Sequence, residues 1–203
     1  MKGIYAILDE NNFNYSYLDS YVNTMIDNNI KIFQIRIKSS FTIAKIKVIK
    51  EVSKICKKRG GKLIVNDNIE IANELELDGL HIGNDDINLM KAREYLGHGK
   101  IIGVSCYDNF DISISAQKNH ASYVSFGSLY KTSTKINAIE LNIDTFLKAQ
   151  EVLTIPICLI GGINFKNLSD VIKLNSDLIA ISKGLSSNSN IKKISKIFYE
   201  KKY

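Results

Sequence analysis

Short apolar runs that stop at polar clusters recur along the chain and alternate with segments of helical periodicity. The clearest case lies between residues 63 and 86, where Leu63–Val65 and Gly79–Ile82 each end in polar residues and the segment between them repeats at helical spacing. This order of strand, helix and strand is the unit that pairs two strands in parallel. Its polar clusters then fall at the carboxyl ends of neighbouring strands, where parallel α/β folds build their ligand sites.

The same alternation extends over the whole chain. Besides those two, strands are predicted over Lys2–Leu8, Ile30–Ile37, Ile101–Ser105, Tyr123–Gly127, Ile155–Ile160 and Leu178–Ile181. Helices are predicted over residues 69–77 and over Tyr17–Ile26, Phe41–Cys56, Leu89–Leu96, Ile112–His120, Ile143–Leu153, Leu168–Leu174 and Ile191–Tyr199, with a long loop at Ser128–Leu141. Eight strands alternating with about eight helices predict one domain over residues 1–203, an α/β fold that closes as a (β/α)8 TIM barrel.

Composition limits the class of protein. No apolar run approaches the roughly 20 residues of a membrane span, and the first residues, MKGIYAILDENN, turn acidic too early for a secretion signal, so we expect no membrane partner. The three cysteines, Cys56, Cys106 and Cys158, are far apart, which suggests a reducing, cytoplasmic environment without disulfides. The sequence leaves the oligomeric state open, a homodimer included.

Positive charge is concentrated in two segments. The net charge is +6, and lysines are dense between residues 45 and 59 and again between residues 192 and 202. A basic groove for nucleic acid would produce such clusters, but a solvated helix face explains them more simply. We therefore expect no nucleic-acid partner.

In a barrel all strand ends meet on one face, so the polar residues that follow the strands are considered together. Arg36 and Lys38 alternate along one strand and therefore point to the same side. Near Asp67 and Asp86 they would form a clamp suited to pyrophosphate and to Mg²⁺, which takes a few protein oxygens and completes its shell with phosphate and water. The full set is Asp9, Gln34, Arg36, Lys38, Asn66, Asp67, residues 81–86, Ser105, Thr132, Thr134, Lys135, Gly161, Gly162, Ser182 and Lys183.

Each of these features also has a purely structural interpretation. Asp67 and Asp86 are placed to cap the helices that follow them, and Arg36 and Lys38 to form ion pairs at the rim. Gly161–Gly162 lies in one of the two loops that usually cradle phosphate in this fold, but a tight turn alone would also need it. Three phosphate-suited clusters on one rim favour a ligand site.

His81, Ser105 and Cys106 carry reactive groups. His81 is the only histidine at a strand end, and beside apolar residues it is more often a packed, hydrogen-bonded orienter than a general acid or base. Ser105 has no His–Asp pattern around it, so we interpret it as a hydrogen-bonding contact and not as a nucleophile. Cys106 is expected to point the other way.

Six segments, taken in order, resemble the thiamine phosphate synthase family over nearly the whole chain. QIRIK at 34–38 resembles the family's Gln-Leu-Arg-Glu-Lys, Asn66-Asp67 its Asn-Asp, and HIGNDD at 81–86 its His-Leu-Gly-Gln-Glu-Asp. GVSCY at 103–107 is similar to its Gly-Val-Ser segment, FGSLYKTSTK at 126–135 to its Gly-Pro-Ile-Tyr-Pro-Thr-x-Thr-Lys, and IGGI at 160–163 to its Ile-Gly-Gly-Ile.

The resemblance implies a transferase that joins a hydroxymethylpyrimidine diphosphate to a thiazole monophosphate and releases pyrophosphate. It implies Mg²⁺ held by Asp67 and Asp86 and a dissociative route that needs no protein nucleophile. The catalytic residues implied are Arg36, Lys38, Ser105 and Lys135. The residues implied to hold the pyrimidine diphosphate are Gln34, Ile35, Arg36, Ile37, Lys38, Asn66, Ser105 and Lys135. Those implied to hold the thiazole phosphate are Thr132, Ser133, Thr134, Gly162, Ser182 and Lys183.

Several positions depart from the family's pattern. Ile37 replaces an acidic residue, Asn84 a glutamine, and Ser128 and Lys131 two prolines, while Lys183 stands where a small serine is usual. Strand alternation predicts that the side chain at position 37 points away from the site. The missing prolines predict a more mobile loop, and Lys183 adds positive charge beside the expected phosphate.

Two other functions fit much of the same pattern. The sister family of thiazole tautomerases shares the fold but looks to lack the metal carboxylates. A non-catalytic regulatory barrel could keep the phosphate site alone. Asp67 and Asp86, together with the Thr132–Lys135 run, favour the synthase.

Overall fold

The strands of the chain form a single closed sheet. The structure, a computed structural model, describes residues 1–83, 86–131 and 140–202. Its strands are β1 (Gly3–Asp9), β2 (Ile32–Arg36), β3 (Lys62–Asn66), β4 (Gly79–Ile82), β5 (Ile101–Tyr107), β6 (Tyr123–Phe126), β7 (Ile157–Ile160) and β8 (Leu178–Ile181). Each strand pairs in parallel with the next along the chain, and β8 pairs with β1. The predicted (β/α)8 barrel is confirmed.

Helices follow the strands and cover the outside of the barrel. The α-helices in the described ranges are α1 (Leu18–Asp27), α2 (Ile43–Arg59), α3 (Ile69–Glu74), α4 (Leu89–Leu96), α5 (Phe110–Lys118), α6 (Ile143–Val152), α7 (Leu168–Lys173) and α8 (Asn188–Lys202). Short 3-10 helices lie at Tyr15–Tyr17 and Lys183–Leu185. Within the part of the chain that the structure describes, none of the helices combines the length and apolarity needed to cross a membrane.

Local sequence sets where the longest helix begins and ends. Thr42 precedes α2 and its hydroxyl accepts a hydrogen bond from the Lys45 amide, so the helix begins two residues after the predicted start at Phe41. Gly60 ends α2 in a left-handed conformation with φ of 70°, which glycine adopts without a steric penalty. The helix therefore extends to Arg59, three residues beyond the predicted end at Cys56.

Period-two alternation divides the strand side chains into two layers. One layer faces the helices and joins the main core, for example Ile35 on β2 and Leu80 on β4. The other layer faces into the barrel, where a largely apolar plug fills the interior. The plug consists of Tyr5, Ile7, Ile32, Ile64, Tyr123, Cys158, Leu178 and Ala180.

The barrel interior has room for Tyr123 because the neighbouring strand carries a glycine beside it. β5 and β6 pair Gly103 with Tyr123 in register. A Cβ placed on Gly103 would lie 2.0 Å from Cζ of the Tyr123 ring, and this ring is fully buried. Residue 103 must therefore be glycine for the Tyr123 ring to fit.

We predict that Gly103→Ala destabilises the fold by about 3 kcal/mol, because the added methyl group must displace a fully buried ring. Gly99→Ala is the matched control, since a Cβ there meets nothing within 4 Å and should change stability by less than about 0.5 kcal/mol. Urea unfolding of both variants measures the difference. Equal midpoints for the two variants would show that the barrel accommodates the methyl group.

Candidate functional site

A cavity of about 970 Å³ opens at the carboxyl ends of the strands. This is the face on which (β/α)8 enzymes place their active sites, and the volume suits small-molecule ligands. The predicted site residues that line it are Asp9, Gln34, Arg36, Asn66, His81, Ser105, Gly161, Gly162, Ser182 and Lys183. The structure thus brings residues from widely separated parts of the chain to one mouth.

Some predicted site residues lie elsewhere. The side chains of Ile35 and Ile37 are buried in the core between the sheet and the helices, so the structure does not bring them to the cavity. Their burial agrees with the prediction that position 37 points away from the site. Cys106 likewise belongs to that outer core, whereas its neighbour Ser105 lines the cavity, as predicted. The predicted residues Thr132, Ser133, Thr134 and Lys135, and the departure at Asn84, lie outside the described residues.

Arg36 is held by a buried carboxylate. Asp9 is 1% exposed and forms an ion pair with the Arg36 guanidinium, and the pairing of β1 with β2 places the two residues in register. Asp9 also accepts a hydrogen bond of 2.9 Å from the amide of Asn11. Charge-assisted bonds of this kind fix the orientation of the guanidinium at the cavity wall.

Asp67 and Asp86 do not cap helices. α3 is capped by Asn68, whose side chain accepts a hydrogen bond from the Ile71 amide. α4 is capped in the same way by Asn88. The capping interpretation is therefore wrong for both aspartates, and their carboxyls are available for another role.

The two aspartates meet just beyond the ends of β3 and β4, and neither they nor Lys38 belong to the residues that line the cavity. Asp67 directly follows β3 in a left-handed conformation, with φ of 64°, and forms an ion pair with Lys38. Asp86 accepts a hydrogen bond of 2.5 Å from the amide of Gly83. Burial, together with a hydrogen-bonded contact to the Asp67 carboxyl, raises the pKa of Asp86.

Such a pair of carboxyls suits a hard divalent cation, which would remove the repulsion between them. Across the ranges described, no group of three or more acidic, histidine or cysteine side chains is placed to hold a metal. A cation at Asp67 and Asp86 would therefore take its other ligands from phosphate and water, as Mg²⁺ commonly does.

A row of hydrogen bonds crosses the barrel beneath the cavity. The amide nitrogen of Gln34 donates to the hydroxyl of Tyr5 at 2.8 Å, and that hydroxyl lies 2.9 Å from the hydroxyl of Tyr123. The Tyr123 hydroxyl lies 2.8 Å from Nδ1 of His81, and Nε2 of His81 lies 2.9 Å from Oγ of Ser105. His81 is thus buried and hydrogen-bonded through both ring nitrogens, in agreement with its predicted role as an orienter.

The two phenols in this row keep their protons at neutral pH. Burial raises the pKa of Tyr5 well above its ordinary value, and burial does the same to the pKa of Tyr123. Each phenol therefore contributes one proton and one accepting oxygen to the row.

Gly161 and Gly162 allow two loops to pack closely. Their φ angles are 115° and 62°, both in the left-handed half of the backbone map. A Cβ on Gly161 would lie 2.1 Å from Oγ of Ser128, and one on Gly162 would lie 2.7 Å from Cβ of Tyr130. The glycines therefore serve loop packing, and Gly162 also presents its backbone to the cavity.

Ser182 and Lys183 follow β8 at the same mouth. The Ser182 hydroxyl donates to the carbonyl of Ile7 at 2.8 Å and accepts from Nδ2 of Asn12 at 3.0 Å. Lys183 is exposed at the cavity edge. Together with Gly162 they form the side of the cavity opposite the aspartates in strand order.

Sequence reasoning missed several cavity residues, among them Tyr5, Tyr107, Asn164 and Lys166. Period-two counting back from Asp9 places Tyr5 on the same inward face, so the signal for this residue was present. Asn164 and Lys166 lie in the loop after β7, whose path over the mouth no local pattern predicts.

Glu10 organises the loop that carries Lys38. Its carboxylate accepts hydrogen bonds from the amides of Lys38 at 2.6 Å and Ser39 at 2.8 Å, and from Nζ of Lys45 at 2.6 Å. Burial acts to raise the pKa of this carboxyl, but the hydrogen bonds together outweigh burial and lower the pKa of Glu10 to about 2. The end of β1 is thereby tied to the loop after β2.

Comparison with known proteins gives consistent matches. A model of the family described as thiamine monophosphate synthase matches residues 4–185. The thiamine-phosphate synthase of Nitrosomonas eutropha is 34% identical over 198 residues, which cover 98% of this chain and 93% of that protein. That of Thioalkalivibrio sulfidiphilus is 31% identical over 185 residues, covering 91% and 88%. The structure of thiamine phosphate pyrophosphorylase from Pyrococcus furiosus matches with a TM-score of 0.85 at 25% identity, covering 97% of this chain and 95% of that one.

We predict that Glu10→Gln weakens the fold by about 1 kcal/mol at pH 7, because an amide replaces a carboxylate that accepts several hydrogen bonds. The lowered pKa of Glu10 means that its contribution is fully present above the unfolded-state pKa of 4.5 and is lost as pH falls towards 2.

Urea midpoints measured between pH 7 and pH 3 test this prediction. The gap between the original chain and Glu10→Gln should narrow as pH falls below 4.5. Glu94→Gln, at an exposed position on α4, is the control and should show little difference at any pH. A gap that stays constant with pH would contradict the role given to the Glu10 carboxylate.

Proposed function

The chain belongs to the thiamine monophosphate synthase family, and we propose that its cavity divides that family's reaction between a pyrimidine diphosphate side and a thiazole phosphate side. The protein is a transferase that makes thiamine phosphate. The division rests on one observation, the placement of the positive charges. Of the cations that line the cavity, Arg36 lies on β2, whereas Lys131, Lys166 and Lys183 lie in the loops after β6, β7 and β8. Lys38, two residues after Arg36, is paired with Asp67.

We assign the pyrimidine diphosphate to the side built from β2 to β5. Gln34, Asn66 and Ser105 line the cavity there. Pyrophosphate is a poor leaving group until its charge is neutralised. Arg36 and Lys38, with Lys135 from outside the described residues, would neutralise it most fully as the C–O bond breaks. The electron-rich aminopyrimidine can carry the resulting cation, so this dissociative route needs no protein nucleophile.

We propose that Asp67 and Asp86 hold Mg²⁺ on this side. Support comes from their contact with each other and from the raised pKa of Asp86, which together mark a carboxyl pair that a divalent cation would stabilise. Bound there, Mg²⁺ would supply positive charge to the departing pyrophosphate. The carboxyl pair also argues against the thiazole tautomerase alternative.

We assign the thiazole phosphate to the side formed by the loops after β7 and β8. Gly162, Ser182 and Lys183 line the cavity there, and Thr132, Ser133 and Thr134 would join them. The thiazole nitrogen then attacks the trapped pyrimidine cation. Holding the two reactants in position is the second large contribution to the rate.

We further propose a cytoplasmic location. All three cysteines of the chain lie in the described ranges, where they are unpaired and buried. Unpaired cysteines are typical of proteins kept in a reducing compartment.

We predict that the purified protein releases pyrophosphate when it is given both substrates and Mg²⁺. Asp67→Asn and Asp86→Asn should each slow this release by about tenfold or more, because each carboxylate would offset metal charge and orient the pyrophosphate. Asp27→Asn is the control, since Asp27 ends α1 at the opposite end of the barrel and is paired with Arg59. Full activity of either rim variant in chelator-treated buffer would remove the metal from the proposal.

We also predict opposite effects for Arg36→Ala and Lys183→Ala. Arg36→Ala should slow single-turnover release of pyrophosphate by about a hundredfold, because the lost contact strengthens as the bond breaks. Lys183→Ala should weaken binding of the thiazole phosphate by roughly tenfold, with a smaller effect on cleavage. Rapid-quench kinetics and calorimetry separate the two steps. The reverse result would mean that the two substrates occupy each other's sides.

A further inference from the structure

We propose that the row of hydrogen bonds beneath the cavity runs in one direction, set by Gln34, and that this direction makes Ser105 a hydrogen-bond donor towards the ligand. Tyr5, Tyr123 and His81 lie between these two ends. They act as positioning residues, because they decide whether the hydroxyl proton of Ser105 points to the cavity or to His81. The inference rests on the proposed function only for the identity of the ligand.

The direction follows from counting protons along the row. The amide nitrogen of Gln34 donates to Tyr5 at 2.8 Å, so the Tyr5 oxygen accepts at this end. A phenol has one proton to give, and the Tyr123 hydroxyl lies 2.9 Å away in an otherwise largely apolar plug. Tyr5 therefore donates to Tyr123, because a proton turned elsewhere would be buried without an acceptor.

The same count continues to the far end. Having accepted from Tyr5, the Tyr123 hydroxyl donates its own proton to Nδ1 of His81 at 2.8 Å. A neutral imidazole that accepts at Nδ1 carries its proton on Nε2, which then donates to Oγ of Ser105 at 2.9 Å. Ser105 keeps its hydroxyl proton for the cavity that it lines.

The direction of the hydrogen bonds matters because the cavity is lined by cations, among them Arg36 and Lys183, and therefore suits a negatively charged ligand. If the row ran the other way, Ser105 would give its proton to His81 and turn only lone pairs towards the cavity. Those lone pairs would repel the oxygens of a phosphate or the ring nitrogen of a heterocycle. With the proposed direction Ser105 donates, and Gln34 has its carbonyl oxygen left as an acceptor.

The barrel holds the row in place by burial and packing. Tyr5 is 1% exposed and Tyr123 is fully buried, and Gly103 leaves the space that the Tyr123 ring fills. The Tyr5 and Tyr123 rings meet edge to face with centroids 5.8 Å apart, while the His81 ring stacks on Tyr123 at 5.6 Å. The rings therefore cannot turn away from their partners without repacking the plug.

The substitution Gln34→Glu tests the direction. An ionised carboxylate can only accept, so it would accept a hydrogen bond from the Tyr5 hydroxyl and reverse every later hydrogen bond in the row. His81 would then carry its proton on Nδ1 in place of Nε2. Two-bond proton–nitrogen NMR correlations of protein labelled with ¹⁵N-histidine report which ring nitrogen is protonated, and His81→Gln assigns the His81 signal.

We expect the Nε2–H form in the original chain and the Nδ1–H form in Gln34→Glu. The control is Gln34→Glu combined with Tyr5→Phe, which interrupts the row while Tyr123 can still donate to His81. This double variant should keep the Nε2–H form. An equal change with and without Tyr5 would mean that the carboxylate acts through space and would overturn the proposal.

The NMR measurement on the chain without substitutions can also overturn the proposal. A His81 that carries its proton on Nδ1, or on both nitrogens, is incompatible with the proposed direction, and this result needs no variant to fold. An unchanged Nε2–H form in folded Gln34→Glu, at a pH where carboxyl ¹³C shifts show the introduced carboxyl to be ionised, would likewise refute it.

A kinetic measurement connects the row to the reaction. Tyr123→Phe should lower kcat/KM for the pyrimidine diphosphate by roughly tenfold, with KM for the thiazole phosphate near that of the original chain. Equal losses for both substrates would indicate a general structural defect and count against the positioning role. The NMR result requires no turnover, so absence of pyrophosphate release would refute the proposed function and leave the direction of the row intact.

Discussion

Polar side chains inside a closed barrel find most of their hydrogen-bond partners among one another, and this constraint shapes the interior beneath the mouth. The side chains of Tyr5, Tyr123 and His81 point inward from three different strands, and each forms a hydrogen bond with the next. Tyr123 fits only because Gly103 stands beside it. These residues therefore form one structural unit, since removing one leaves a buried polar atom without its partner, at a cost of about 1–3 kcal/mol.

At the mouth, charged side chains also have their partners within the barrel, and these partners are opposite charges. The guanidinium of Arg36 is held by the buried carboxylate of Asp9, and the ammonium of Lys38 by Asp67. Cations that are already oriented lose less conformational freedom when a phosphate binds, which favours both binding and catalysis. The carboxylates also reduce the net positive charge at the mouth, so a divalent cation at Asp67 and Asp86 would restore the charge that pyrophosphate requires.

Features set by local sequence were predictable, and those set by neighbouring strands or loops were not. Strand alternation predicted which side chains face the mouth, but the contact between Tyr5 and Tyr123 depends on strands 118 residues apart. In the longest helix, apolar residues recur in steps of three from Ile43 to Ile55, but steps of three fall short of a 3.6-residue turn, and Ile43 is 88% exposed. Spacing alone also could not decide whether Asp67 caps α3, since Asn68 takes that role through the geometry of the loop.

Ile37 replaces an acidic residue of the family's pattern, and in this chain a carboxylate from a different element lies at the same strand end. The side chain of Ile37 is 5% exposed and belongs to the outer core, where an unpaired carboxylate would be costly. The carboxylate that holds the Lys38–Ser39 backbone in this chain comes instead from Glu10, at the end of β1. Lys45 completes the charge balance of Glu10 from the first turn of α2. The position of Lys38 at the rim is thus set by contacts between elements, so an apolar residue at position 37 is compatible with a rim that still presents both Arg36 and Lys38.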